Sequence, residues 1–256
     1  ILFWVVLILF SVVKSKIIHY SSLAYFPLTF LVALTIYQIL QQRIVFSSWM
    51  KWMLGIIGAI YCLATIVLPF VAMNTETLKA VFKKDKFAVA NLDAAVHWTG
   101  IEALAGIFLL GILILTFMMF RKKKQAKGFT ILFLGMPVFA LLLLFFFAKK
   151  IETYSQGAAI EFFGSFQGRD VYVTAKGHKT YGHLFYTRKP PQENPNHSDI
   201  DWLLYGDIDK DAYFITKITK NDLFVNNPEF IELYRKNGFV FYLRKKKVET
   251  TGVQGN

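Results

Sequence analysis

Residues 101–148 read IEALAGIFLLGILILTFMMF–RKKKQAK–G–FTILFLGMPVFALLLLFFFA. Two apolar runs flank a link that carries five basic residues, Arg121, Lys122, Lys123, Lys124 and Lys127, and no acid. A run of about 20 apolar residues with no polar face is long enough to cross a bilayer, and a soluble bundle would need a polar stripe. A short basic connector between two such runs is held on the cytoplasmic side. This stretch therefore predicts a polytopic membrane protein and fixes one side of it.

Outward from that link, the same criterion finds two more full spans. Trp52–Met73 has Pro69 near its end, and Leu23–Leu40 has Pro27 near its start. With Ile101–Phe120 and Phe129–Ala148, which holds Pro137, these make four full spans. The opening run Ile1–Val13 rises only about 20 Å and falls short of a bilayer. It is expected to be the second half of a helix, giving about five spans, and the chain is expected to be the C-terminal part of a larger protein. Alternation from the basic link puts Gln41–Lys51 in the cytoplasm. Lys14–Ser22, residues 74–100 and everything after 150 fall on the outer face. The expected organisation is a membrane region, 1–150, followed by an extracytoplasmic domain, 151–256.

Charge follows the same division. Of a net +12, residues 1–150 hold +11 (15 basic, 4 acidic) and residues 151–256 hold +1. The excess lies between apolar runs, where membrane proteins keep it, and not on a soluble face, so nucleic acid is not an expected partner. The single cysteine, Cys62, sits inside an apolar run and can form neither an intrachain disulfide nor a cysteine cluster for metal. No cofactor is implied, and no ligand spacing supports a divalent metal.

The outer segment 74–100 repeats Leu78, Val81, Phe82, Val89, Leu92, Val96 and Trp98 at near-helical spacing, which predicts amphipathic helices at the bilayer surface with Trp98 at headgroup level. His97 has no ligand-type neighbour at helical spacing. Residues 151–256 carry mixed charge and turn residues. The pattern predicts helices over 153–166, 178–186, 200–205 and 228–236, and strands over 170–175, 212–218 and 239–244. These would form a small α/β layer with a three-stranded, mainly parallel sheet. Asp207, Asp209 and Asp211 lack the glycine and distal glutamate of a calcium loop. Asn196-His197-Ser198 has the form of a glycosylation acceptor, and no nucleophile or phosphate-loop motif occurs.

The most informative segment is FSVVKSKIIHYSSLAYFPLTFLVAL, residues 10–34. Lys14, Lys16, His19 and Tyr20 lie between two apolar runs on the predicted outer face. Two ammonium groups can neutralise a lipid-linked phosphate where the local dielectric is low. Tyr20 can donate to a phosphate oxygen with its ring against acyl chain, and His19 can donate or relay a proton. An ordinary interfacial turn, with snorkelling lysines and an anchoring tyrosine, fits the same residues.

This lysine-x-lysine-x-x-x-tyrosine segment and its proline-bearing span resemble the protein O-mannosyltransferase-like family of bacterial membrane glycosyltransferases (family 39), to which the lipid A aminoarabinose transferase is related. The tail YSQGAAIEFFGSFQGRDVYVTAKGHKTYGHLFYTRKPP, residues 154–191, resembles the C-terminal periplasmic domain of Bacteroidetes-type members. Where the family often has Leu-Pro, this chain has Ile17-Ile18-His19. The resemblance implies a GT-C fold in the bacterial inner membrane with its C-terminal domain in the periplasm. It implies transfer of a sugar from a polyprenyl-phosphate donor to a lipid or protein acceptor, with Lys14, Lys16, His19 and Tyr20 at the lipid phosphate. The family's catalytic aspartate belongs to a region ahead of these residues, and none of Glu76, Asp85, Asp93 or Glu102 matches it. The rival reading is a transporter or sensor with an extracytoplasmic α/β module.

Overall fold

The computed structural model describes residues 1–12, 22–189 and 191–246. Among the described residues, four helices are long and apolar enough to cross a membrane: Ser22–Leu40, Ser48–Met73, Ile101–Arg121 and Gln125–Ser165. The opening run forms the shorter apolar helix Leu2–Val12. At 1.5 Å per residue the 26-residue helix Ser48–Met73 is about 39 Å long, more than the hydrocarbon thickness. Most of its large apolar side chains are exposed, including Trp52, Ile56, Ile60, Leu63 and Phe70. Only lipid makes such a surface tolerable, so the chain is a multi-pass membrane protein.

The last span differs from its expected limits. In place of a span ending at Ala148 and a separate helix from Thr153, one helix of 41 residues runs from Gln125 to Ser165. It passes through two π-helical segments, Leu144–Ala148 and Thr153–Gly157, on either side of Lys149–Glu152. The charged residues that look like a span boundary occupy the middle of the helix.

The chain divides into two compact units, Ile1–Ala64 with Gly106–Phe139, and Thr65–Ala105 with Ala140–Asn256. In the first unit, small residues let helices approach closely, the main source of packing when lipid surrounds them. A Cβ on Gly58 would lie 2.5 Å from Leu113 Cδ1, and one on Gly135 would lie 2.7 Å from Ile112 Cδ1. Phe46, from the 41–51 link, packs edge-on to Phe120 with centroids 4.9 Å apart and also meets Phe129 at 5.4 Å. The 41–51 link and the span ends that flank the 121–127 link thus share one apolar cluster with Ile39.

The second unit is built on a four-stranded sheet in the order β1-β2-β4-β3, with β1 Tyr172–Ala175, β2 Ala212–Lys217, β3 Phe230–Lys236 and β4 Phe239–Arg244. Only β1 and β2 are parallel; β2–β4 and β3–β4 are antiparallel. This corrects the expected three-stranded, mainly parallel sheet, and the expected helix over 228–236 is strand β3. Asn237 and Gly238 both take positive φ (47° and 76°), which makes them a two-residue hairpin turn between β3 and β4. A register shift between Glu232 and Tyr234 breaks the strand's alternation and imitates helical spacing.

Every residue of β4 is buried, as expected of a strand covered on both faces. Phe239 and Phe241 face Phe162, Phe163 and Phe166 at the end of the long helix. Val240 and Tyr242 face Leu203, Leu204 and Phe224. Arg244 fastens the second layer. It donates to the carbonyls of Leu203 (3.0 Å) and Gly206 (2.8 Å) and to Glu229 (3.1 Å).

Candidate functional site

The residues that the sequence assigns to the lipid phosphate, Lys14, Lys16, His19 and Tyr20, lie outside the described residues. Their flanks are described. Leu2–Val12 packs against the turn Ser22–Ala24 and the helix Tyr25–Leu40 that follows it. The segment 13–21 therefore connects two neighbouring apolar helices.

In the second unit, the predicted outer segment 74–100 forms two short helices, Thr75–Val81 and Lys86–Asn91. Asn74 accepts from Thr77 N, and Asp85 accepts from Phe87 N and Ala88 N, so each start carries a side-chain cap. Phe87 meets Phe239 of β4 edge-on at 5.2 Å, with Lys217 above its ring at 4.4 Å. Lys79 has counter-charges within its own segment, Glu76 at 3.0 Å and Asp93 at 2.9 Å.

The segment ends in a polar knot that the sequence reading did not find. Glu102, 2% exposed, is paired directly with Lys150 of the long helix. The same carboxylate oxygen accepts from Thr99 Oγ1 (3.1 Å) and Thr99 N (3.4 Å). Lys150 also donates to the His97 carbonyl at 2.7 Å and lies 4.8 Å from the Trp98 ring centroid. Trp98 Nε1 donates to Tyr154 Oη at 3.0 Å. Trp98 is buried in this cluster, against Phe147. Phe147 and Tyr154 lie in the two π-helical segments that flank Lys150. Thr-x-x-Glu ahead of an apolar run, residues 99–102, is a capping-box pattern and was the available signal.

A carboxylate held by a lysine and two threonine donors is not a free base. Its second oxygen, Oε2, is buried and makes no hydrogen bond. The knot therefore ties the start of one span to the middle of the long helix, and the structure gives Glu102 no acid–base role. The aspartate row of the tail is likewise used locally. Asp209 accepts from Tyr172 Oη (2.8 Å) and Asn194 (3.3 Å), and Asp211 accepts from Lys246 N (3.0 Å). Burial, then the Asp209 hydrogen bond, raises the Tyr172 phenol above its usual range. Among the described residues no group of three His, Cys, Asp or Glu side chains converges as a metal site.

With this arrangement in view, the solved structure of ArnT from Cupriavidus metallidurans in the apo state is similar to the chain at a TM-score of 0.57. The fold is shared with ArnT. The likeness covers 94% of this chain and 45% of that chain, at 14% sequence identity. The chain thus spans less than half the length of ArnT, and at this identity the likeness carries the fold alone. No protein-family model matches the sequence, and no curated protein does.

Proposed function

We propose that the chain is the C-terminal part of a membrane glycosyltransferase that moves a sugar from a polyprenyl-phosphate donor to a lipid or protein acceptor at the periplasmic face of the bacterial inner membrane. The observation that carries this reading is the ArnT fold over 94% of the chain. It agrees with the enzyme class that the 10–34 and 154–191 segments resemble. The topology has separate support within each unit. Phe46 of the 41–51 link packs with Phe120 and Phe129, the span ends on either side of the 121–127 link, as a shared side for both links requires. Segment 74–100 packs against the sheet of the 151–256 region through Phe87, as a shared outer side requires.

In this reading residues 1–150 are the membrane region and 151–256 a periplasmic domain. Lys14 and Lys16 hold the donor's phosphate, Tyr20 donates to it, and His19 donates to or relays a proton from the same group. Cleavage of the sugar–phosphate bond leaves negative charge on the lipid phosphate. Two fixed ammonium groups stabilise that charge most when it is fully developed. The base that activates the acceptor belongs to a region ahead of these residues.

The test is binding of polyprenyl phosphate to the chain in nanodiscs. Each charge-assisted hydrogen bond contributes about 1.5–3 kcal/mol, so Lys14→Ala with Lys16→Ala should weaken binding by at least about 100-fold. Unchanged affinity in a folded double variant would remove the proposed role.

A further inference from the structure

We propose that the tail domain carries a second site, a cleft built by His178, Lys179, His183, Lys189 and His197 that binds a phosphate ester. The cleft lies at the carboxyl end of β1, between the helix Gly182–Tyr186 and the turn Pro195–Ser198. It encloses about 580 Å³, within the ~300–1,000 Å³ of small-ligand sites. Its walls present five groups able to carry positive charge, together with the hydroxyls of Thr174, Thr180 and Ser198, and include no carboxylate. The proposal does not depend on the transfer reaction.

The polar groups are poorly matched to one another. Lys189 Nζ makes a 3.2 Å bond to the Val173 carbonyl. Burial lowers its pKa to about 8, with no acid offsetting the penalty. His183 Nδ1 is buried without a hydrogen-bond partner. Burial, and then the Lys189 charge, lowers the His183 pKa; burial, and then the Lys217 charge, lowers that of His178. An ammonium group half-withdrawn from water beside imidazoles disfavours every positive charge in the set. A ligand that brought negative charge and several acceptor oxygens would reverse each of these penalties at once. A phosphate monoester fits, with up to two charges for two lysines and oxygens for the imidazole and hydroxyl donors. A cation would add to the repulsion, and the histidines do not converge as metal ligands among the described residues.

The phosphate can come from a soluble sugar phosphate or from a lipid headgroup, and the test separates them. The full chain, carrying Lys14→Ala and Lys16→Ala to silence the membrane loop, is titrated calorimetrically at pH 7 in neutral detergent. The probes are glucose 1-phosphate and short-chain phosphatidic acid. Saturable binding of at least one is expected, weakened at least tenfold by Lys189→Met and at least threefold by His178→Gln at the half-buried rim. Binding of glucose 1-phosphate assigns a soluble ester; binding of phosphatidic acid alone assigns a headgroup. Lys189→Met should also raise the thermal midpoint, because it removes an unpaired half-buried charge, whereas a purely structural lysine would lower it. Saturation by neither probe, or wild-type affinity in both variants, overturns the proposal.

Discussion

Replacing Lys150 with methionine leaves the Glu102 carboxylate in place and removes its only cationic partner among the described residues. The Glu102 side chain is 3% exposed and that of Lys150 24%. Breaking a fully buried ion pair by deleting one member costs about 3–5 kcal/mol, because an uncompensated charge stays behind. Partial exposure of Lys150 and the two remaining Thr99 donors reduce this to about 2–3 kcal/mol. Expressed as local opening, that is a roughly 30- to 150-fold loss of hydrogen-exchange protection for the amides of residues 101–104. Exchange in nanodiscs, read by mass spectrometry, measures it directly. Glu102→Gln in the Lys150→Met background should recover much of the loss, with a coupling of at least about 1 kcal/mol. Additive effects, or a Lys150→Met change below twofold, would refute the view that this pair fastens the span to the long helix.

The other expectations concern packing and protonation. Gly135→Val places a branched side chain where Ile112 Cδ1 is 2.7 Å from a bare Cβ, an overpacking worth about 1–3 kcal/mol. Because Cys62 is 4% exposed in the same unit, maleimide labelling of the protein's single thiol should accelerate by at least about fivefold in that variant. His178 and His183 are held below the ordinary imidazole value of 6.5, by burial first. As pH falls through about 6.5 the unfolded chain takes up protons that the folded tail refuses, so stability falls with pH in that window. A midpoint that drops between pH 7 and 5.5, and drops less in His178→Gln with His183→Gln, checks the sign.

The membrane fold was legible because hydropathy needs no tertiary information: about 20 apolar residues in a row have few other uses. The places where reading and structure part share a cause. Lys149 and Lys150 look like a span's exit, yet one of them is drawn into a knot with Glu102 and the helix continues past both. Phe230, Leu233 and Tyr234 are spaced as on a helix only because a register shift adds a residue to β3. Asn237-Gly238 ends helices and turns hairpins equally well, and only the pairing of β3 with β4 chooses between them. The Thr99–Glu102 pattern could have been recognised locally, but its partner lies 48 residues further on. The cleft in the tail left no motif at all, since its five basic groups come from two loops, the helix Gly182–Tyr186 and the turn Pro195–Ser198. The lysine–tyrosine segment is the reverse case. Its chemistry is plain in the sequence and its placement lies outside the described residues.

The central claim, that residues 10–34 receive a lipid-linked phosphate, is tested most directly by photocrosslinking. A polyprenyl phosphate with a diazirine in its first isoprene unit is irradiated with the chain in nanodiscs, and the adducts are mapped by mass spectrometry. The account predicts adducts concentrated on residues 10–34, competed away by unlabelled polyprenyl phosphate and lost in Lys14→Ala with Lys16→Ala. Adducts spread over all spans, or unchanged in the double variant, would contradict it.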